Sequence, residues 1–336
     1  MLPGKVPAEI LQSIVFSHLG KSDPSVILGP GLGEDASLIQ VGDQIIVAAT
    51  DPITGSVEDL GWLAVHVNAN DIATFGVKPR WFLATIMLPK GFKTSELQKI
   101  MLQIDSAAKA LDIAVVGGHS EITEKLEQPI IVGFMMGLTK EGQYVTSSSA
   151  QLSDAIILTK TIGIEGTAIL AAEGKKYLSK HLSKETIQAA RDLREQISVV
   201  KDGVVAFETG YVHAMHDPTE GGLSGAIHEM CDASGLGFEI NFEKIPISEP
   251  TREICELLEV NPLELISSGS MIISCDLENT NSVIQSLESN GIQATMIGTL
   301  IEDPHHRKIL KAGQVSDLAK PDSDALWEAI KKINPP

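Results

Sequence analysis

Apolar residues recur at spacings of three and four from Leu60 through Leu63, Ala64 and Val67. That period marks one face of a helix and predicts a helix over Asp59 to Phe75. The next position on the same face is Asp71, so the pattern points a carboxylate inward. Upstream, Ala36 to Val41 alternates and Ile45 to Ala49 is almost unbroken. These read as strands joined by a Gly42-Asp43 turn, with Asp35 just before the first and Asp51 closing the second. Pro7 to Leu19 carries a stripe of Ile10, Leu11, Ile14 and Val15 and predicts a helix. Trp81 to Leu88 predicts a strand, and Thr94 to Leu111 a helix capped by Thr94. Ile113 to Val116 predicts a short buried strand ending at Gly117-Gly118, and Ile130 to Leu138 a further strand.

The polar, Ser-rich segment from Tyr144 to Asp154 breaks the pattern and places a boundary there, between domains 1–150 and 151–336. Beyond it, Ala155 to Thr159 is a strand, followed by Gly163-Ile-Glu-Gly166 and a helix through Ala172. A glycine-flanked helix start can receive an anion or be a simple helix entry. Ser183 to Val199 predicts a surface helix and Leu223 to Ala233 another. Met271 to Cys275, Ala294 to Leu300 and Lys308 to Lys311 predict strands, and Asp322 to Lys332 a final helix. Helices and strands mix throughout, so the class is α/β or α+β.

The acidic positions carry the chemistry. An unpaired buried carboxylate costs several kcal/mol, roughly, and requires a cation, donors or a proton. Asp35, Asp51 and Asp71 stand at element ends, with no Lys or Arg between Lys21 and Lys78. A bound cation answers this, and oxygen-only ligands favour magnesium completed by substrate phosphates. The alternative is that Asp51 caps a turn and Asp71 meets backbone donors. Gly117-Gly118-His119-Ser120-Glu121 permits close backbone approach to a ligand. Glu121 could be a further metal ligand, and His119 could donate to a phosphate or carbonyl oxygen; the alternative is a turn with a surface histidine. In His216-Asp217-Pro218-Thr219-Glu220-Gly221-Gly222, Asp217 and Thr219 fall at a helix N-terminus. His213 and His216 have no third soft ligand at a zinc spacing. Gly29, Gly31 and Gly33 form neither a P-loop nor a dinucleotide turn.

A chain of 336 residues with 43% hydrophobic and 21% charged residues suits a two-domain globular protein. Its net charge of −18 and lack of a basic cluster argue against nucleic acid as a partner. They leave an anionic nucleotide open, because a metal can reverse the local field. Cys231, Cys255 and Cys275 lack C-x-x-C spacing, as expected for reduced thiols in the cytoplasm. The N-terminal residues have no apolar signal-peptide core, and no apolar run is long enough to span a membrane.

In this order, G-E-D-A at Gly33, T-D at Thr50, N-D at Asn70-Asp71, G-G-H-S-E at Gly117 and A-M-H-D-P-T-E-G-G-L at Ala214 resemble one superfamily. It comprises AIR synthase, the hydrogenase-maturation protein HypE, thiamine-monophosphate kinase and selenophosphate synthetase. The resemblance runs from about Leu28 to Leu300 and is strongest to HypE. It implies a two-domain AIR synthase-like subunit whose N-terminal domains pair in a homodimer around a β-barrel-like core. It also implies ATP-dependent activation or phosphorylation of an oxygen on a small molecule or carrier protein. By resemblance, Asp35, Asp51, Asp71 and Glu121 would hold magnesium. Asn70, Gly117, Gly118, Thr219, Gly221 and Gly222 would line the ATP site, and His119 and Asp217 would act in catalysis. HypE chemistry uses a C-terminal cysteine, whereas the last cysteine here is Cys275 and the sequence ends Asn334-Pro335-Pro336. The alternatives are a nucleotide-binding regulatory or scaffold protein without turnover, or a phosphotransferase resembling thiamine-monophosphate kinase.

Overall fold

The computed structural model describes residues 4–54 and 58–333. The tail Asn334 to Pro336 lies outside the described residues. Strands β1 (Val26–Leu28), β2 (Ser37–Val41), β3 (Gln44–Ile53), β4 (Pro79–Pro89), β5 (Ala114–Thr123) and β6 (Ile130–Thr139) form one sheet, ordered β1-β2-β3-β6-β4-β5. Only β4 and β5 run parallel, since the Thr94–Ala110 helix makes the crossover between them. Strands β7 (Ala155–Thr159), β8 (Val212–His216), β9 (Gly237–Asn241), β10 (Ile272–Cys275), β11 (Ala294–Ile301), β12 (Arg307–Lys311) and β13 (Gln314–Asp317) form a second sheet, ordered β13-β12-β9-β11-β7-β10-β8. Interior β7 and β10 are buried along their whole length, which accounts for their largely apolar sequences, with buried Ser274 of β10 bonded to Asp154.

The Leu60–Ala73 helix ties the halves together. The pattern predicts one buried face, but every residue except Trp62 is buried. The helix packs on β3 and β6, on the Thr94–Ala110 helix, and on the Val200–Glu208 helix of the second half. Two backbones meet without side chains between them here: a Cβ on Gly203 would fall 2.2 Å from the Ala73 carbonyl oxygen. Asn70 completes the junction. Its amide donates to Ile197 O at 2.9 Å and accepts from Val199 N at 2.9 Å. Asn70 is thus fully buried, and both ends of its amide are committed to this junction.

Four local expectations change. The Pro7–Leu19 helix is short, α-helical at Ala8–Ile10 and π-helical at Leu11–Val15, and leaves Ile14 and Val15 exposed. The Thr94–Ala110 helix has Lys93, not Thr94, at its N-cap and no side-chain cap. The Ser183 to Val199 helix stops at Asp192, continues as a 3₁₀ turn over Leu193–Gln196, and a separate helix starts at Val200. The largest change is β5. It does not end at Gly117 but runs through to Thr123, and it is exposed from Ala114 to Ile122. Gly118 permits this continuation: φ is +148°, and a Cβ there would meet the Ala84 carbonyl oxygen at 2.1 Å. β5 is therefore an unpaired edge showing Val115, Val116 and Ile122 to solvent. Among the described residues, no helix is long and apolar enough to cross a membrane.

Candidate active site

Three sequence segments deliver carboxylates to the seam between the two sheets. Asp35 precedes β2, Asp51 lies within β3, and Asp71 projects from the buried helix. Asp217 follows β8 from the other half. Asp51 does not cap a turn. Its backbone is laddered to β6 opposite Gly133, and its N–H donates to Asn68 Oδ1 at 2.8 Å. The strand thus continues under the site and fixes the direction of the Asp51 carboxylate.

The charges of this cluster are out of balance. Burial raises the Asp71 carboxyl well above its ordinary range, reinforced by Asp51, Asp217 and Asp35. Burial also raises Asp51 to about 6, with Lys5 opposing and Asp35 and Glu220 adding. Asp217 is pushed up to about 8 by burial and then by Asp35, against the pull of His216. Both Asp217 carboxylate oxygens are buried without a hydrogen-bond partner. Such a group in a protein interior is costly unless a proton or a cation reaches it.

Two cations partly answer these acids, and the sequence pattern pointed to neither. His216 Nδ1 lies 2.9 Å from Asp35 Oδ2, and its Nε2 lies 3.3 Å from Glu229 Oε2. Burial alone would lower its pKa, but Asp35 and Glu229 together raise it to about 10. His216 is therefore a charged bridge at neutral pH. Lys5 Nζ reaches Glu229 Oε2 at 3.0 Å with its side chain 48% exposed. Burial alone would raise the Glu229 carboxyl, but Lys5 and His216 outweigh it, so its pKa falls far below the carboxylate range. His213 has a separate partner, Asp154, at 2.9 Å. The signal for Lys5 and Glu229 was absent locally, because 224 residues separate them.

The remaining candidates divide. Thr219 lines a cavity of about 370 Å³ beside Asp51 and Lys5. Gly221 borders an adjoining recess of about 460 Å³ with Gly33, Asp35 and Glu229. The Gly221 N–H, however, already donates to Asp324 Oδ2 at 2.6 Å. Gly222 packs on the chain at Leu263–Leu265, where a Cβ would lie 2.6 Å from the Leu265 carbonyl oxygen. This glycine pair seats a helix. Gly117, Gly118, His119 and Glu121 are on exposed β5 and join neither the carboxylates nor these cavities within one chain. His119 Nε2 lies 3.3 Å from Glu121 Oε2, and Thr123 donates to the other Glu121 oxygen at 2.8 Å. Glu34 of the G-E-D-A motif accepts from the N–H groups of Ser147 and Ser148 at 3.2 and 3.1 Å. It fastens the loop before β2 to the segment between the sheets.

A divalent cation fits the chemistry of this donor set. Asp217 offers two partnerless oxygens, and Asp51 and Asp71 are held in neutral-favouring surroundings by burial first and then by the neighbouring acids. Among the described residues, no three His, Cys, Asp or Glu side chains stand close enough together to hold a metal ion by themselves, so a cation here would take one or two of these carboxylates and complete its shell with substrate oxygens. An open set of this kind leaves ligand positions for substrate oxygens, as magnesium sites commonly do.

The sequence matches the AIR synthase related protein N-terminal domain over residues 33–139 and the corresponding C-terminal domain over residues 153–311. A hydrogenase expression/formation protein of Methanocaldococcus jannaschii is 29% identical over 304 residues, covering 88% of each chain. Carbamoyl dehydratase HypE of Azotobacter vinelandii is 28% identical over 271 residues, 77% of this chain and 76% of that one. The crystal structure of a HypE–HypF complex superposes with a TM-score of 0.75 at 21% identity, covering 93% of this chain and 99% of its counterpart. HypE solved in complex with ATP gives 0.73 at 19% identity, covering 96% and 97%. With both halves matched in order and the two-sheet architecture shared, the chain belongs to the AIR synthase-related, HypE-like family.

Proposed function

We propose that this chain is a cytoplasmic ATP-dependent enzyme that activates or phosphorylates an oxygen of a small molecule or of a group on a carrier protein. The observation that carries the reading is Asp217, whose two buried oxygens lack partners beside Asp35, Asp51 and Asp71. These four carboxylates come from both halves, 1–150 and 151–336, so a cation between them would hold the halves and the nucleotide in one arrangement. Magnesium, when bound, would neutralise phosphate oxygens and so favour phosphoryl transfer. The chain's own residues do the rest. Asp35 is fixed by His216, Asp51 by the strand beneath it, and Asp71 by a helix buried all round. Preorganisation of this sort lets the site meet developing charge without rearranging.

The ATP-bound HypE structure shares this fold, and HypE–HypF shows a relative that assembles with another protein; both support a nucleotide and a protein or small-molecule acceptor here. A homodimer is part of the same reading. Exposed β5 is an edge of the kind that pairs with a second copy, and pairing would put His119 and Glu121 at the subunit boundary. A second reading, a regulatory or scaffold subunit without turnover, draws on Lys5, a half-exposed cation from the chain already at the rim of the acids. Steady-state ATP hydrolysis with and without magnesium separates the two. Magnesium-dependent turnover supports the enzyme, and tight binding with no turnover over hours supports the scaffold.

A further inference from the structure

The cavity beside Asp51 has a lining that the proposed chemistry does not use. Its inner wall holds Glu165 and Ser268, and its apolar sides are Ile53, Ile169, Leu326 and Trp327. Glu165 is only 4% exposed, and its Oε2 has no hydrogen-bond partner. Ser268 is fully buried, and its Oγ also lacks a partner. The sequence left two alternatives here, at the start of the Ile164–Glu173 helix: an anion site or a simple helix entry. The structure favours the simple helix entry. The Gly163 N–H already donates to Ser267 Oγ, the Gly166 N–H to Ile266 O at 3.0 Å, and a carboxylate stands in the first turn.

The charge on the lining is one-sided. Asp51, Glu165, Glu220 and Asp324 all border the cavity, whereas Lys5 is its one positive side chain among the described residues and is held by Glu229. Asp324 is satisfied, accepting from the N–H groups of Gly221 and Leu326. That leaves Glu165 Oε2 as the buried acceptor waiting for a donor, with the Ser268 hydroxyl beside it and the Trp327 indole N–H as a lone buried donor on the apolar side. A buried acceptor left unpaired costs roughly 1–3 kcal/mol, and more when charged, so a ligand supplying N–H groups relieves a standing penalty. An anionic ligand would add to it.

We propose that this cavity binds a small molecule by a cationic N–H donor, a protonated amine or amidine, placed against Glu165 and Ser268 with an apolar body against Ile169 and Trp327. Burial holds the Glu165 carboxyl up at about 7, with nearby Ser268 opposing, as expected for an acid lacking its cation. The volume, about 370 Å³, is that of a compact ligand and not of a folded segment. The inference leans on the ATP-dependent reading only in making this molecule the acceptor; the binding itself is independent of nucleotide.

The test uses the full chain and three probes with one ring and different head groups: benzamidine, benzamide and benzyl phosphate. Titration calorimetry without nucleotide is expected to show benzamidine binding at least tenfold more tightly than benzyl phosphate. Glu165→Gln should erase that preference, and the surface control Glu288→Gln should keep it. In ¹H–¹⁵N spectra of the unsubstituted chain, benzamidine should move the indole signal of Trp327 and not those of Trp62 and Trp81, a readout that needs no folded variant. Equal affinity for the three probes, no binding by any, or a shift confined to the other tryptophans would overturn the proposal. Magnesium-ATP binding measured on the same samples separates the outcomes: a chain that binds nucleotide but fails these tests keeps its proposed function and loses this site.

Discussion

Lys5 Nζ lies 3.0 Å from Glu229 Oε2, at the rim of a cluster in which Asp35 and Asp51 also feel its charge. A lysine from the start of the chain thus stands where the acids call for a cation. Burial alone would lower its pKa, but Glu229 outweighs that and raises it, so the ammonium remains charged. Lys5 and a divalent ion would compete for the same field. Lys5→Ala should therefore tighten magnesium binding in the absence of nucleotide severalfold, measured by calorimetry. Weaker binding would mean that Lys5 assists the ligand instead of standing in for it.

The raised carboxyls also set a pH dependence. Asp51 at about 6 and Asp217 at about 8 lie above the ordinary aspartate value, so their folded state prefers the proton. Their contribution to stability is complete below the unfolded pKa near 4 and is lost as pH rises through the folded values. His216, raised to about 10, acts in the same direction, losing its contribution between the ordinary histidine value and its own. The metal-free chain should therefore melt at progressively lower temperature from pH 5 to pH 9. Magnesium should restore most at the high end. Scanning calorimetry showing a melting temperature that climbs across this range would contradict the charge assignment.

Cys231, Cys255 and Cys275 are all buried, and burial pushes each thiol up to about 12. The thiolate is the nucleophile, and these three hold almost none of it at neutral pH. Under native conditions none should react with a thiol reagent within minutes, whereas all three should react in denaturant. For the same reason carbamoyl phosphate and a carbamoyl transferase should leave no carbamoyl adduct on them by mass spectrometry. Rapid native labelling of any of the three would show an opening that this packing does not provide.

Exposed β5 leads to a prediction about assembly. An edge strand carrying Val115, Val116 and Ile122 in water is an association site unless something covers it. Light scattering at micromolar concentration should give twice the chain mass. Val116→Lys should shift the mass toward that of one chain while the melting transition remains cooperative. A single-chain mass for the unaltered protein would remove the dimer and with it the subunit-boundary position of His119 and Glu121.

The sequence showed some of this site plainly. Asp71 could be read as inward because helical period and polarity conflict at one position, and that conflict survives folding. The fate of β5 could not be read, because an apolar run announces burial without saying whether the cover is the same chain or another. Asn70 reads as part of a ligand motif because it stands beside Asp71 in the N-D pair; only the packing of Ile197 and Val199 against it shows where its amide goes. Lys5, Glu229 and Glu165 were invisible for a different reason. Each is an ordinary charged residue locally, and its importance arises from partners brought close by the fold across long stretches of chain.

The central claim is that Asp51 and Asp71 hold a metal that joins ATP to the protein. Calorimetry of ATP binding with magnesium, on the unsubstituted chain and on Asp51→Asn and Asp71→Asn, tests it directly. Each substitution should weaken magnesium-dependent binding tenfold or more, on the order of 1.4 kcal/mol. Asp71→Asn should at the same time raise the melting temperature of the metal-free chain, since it removes a carboxyl that burial and its neighbours disfavour in charged form. Unchanged magnesium-dependent affinity in both variants would contradict the account.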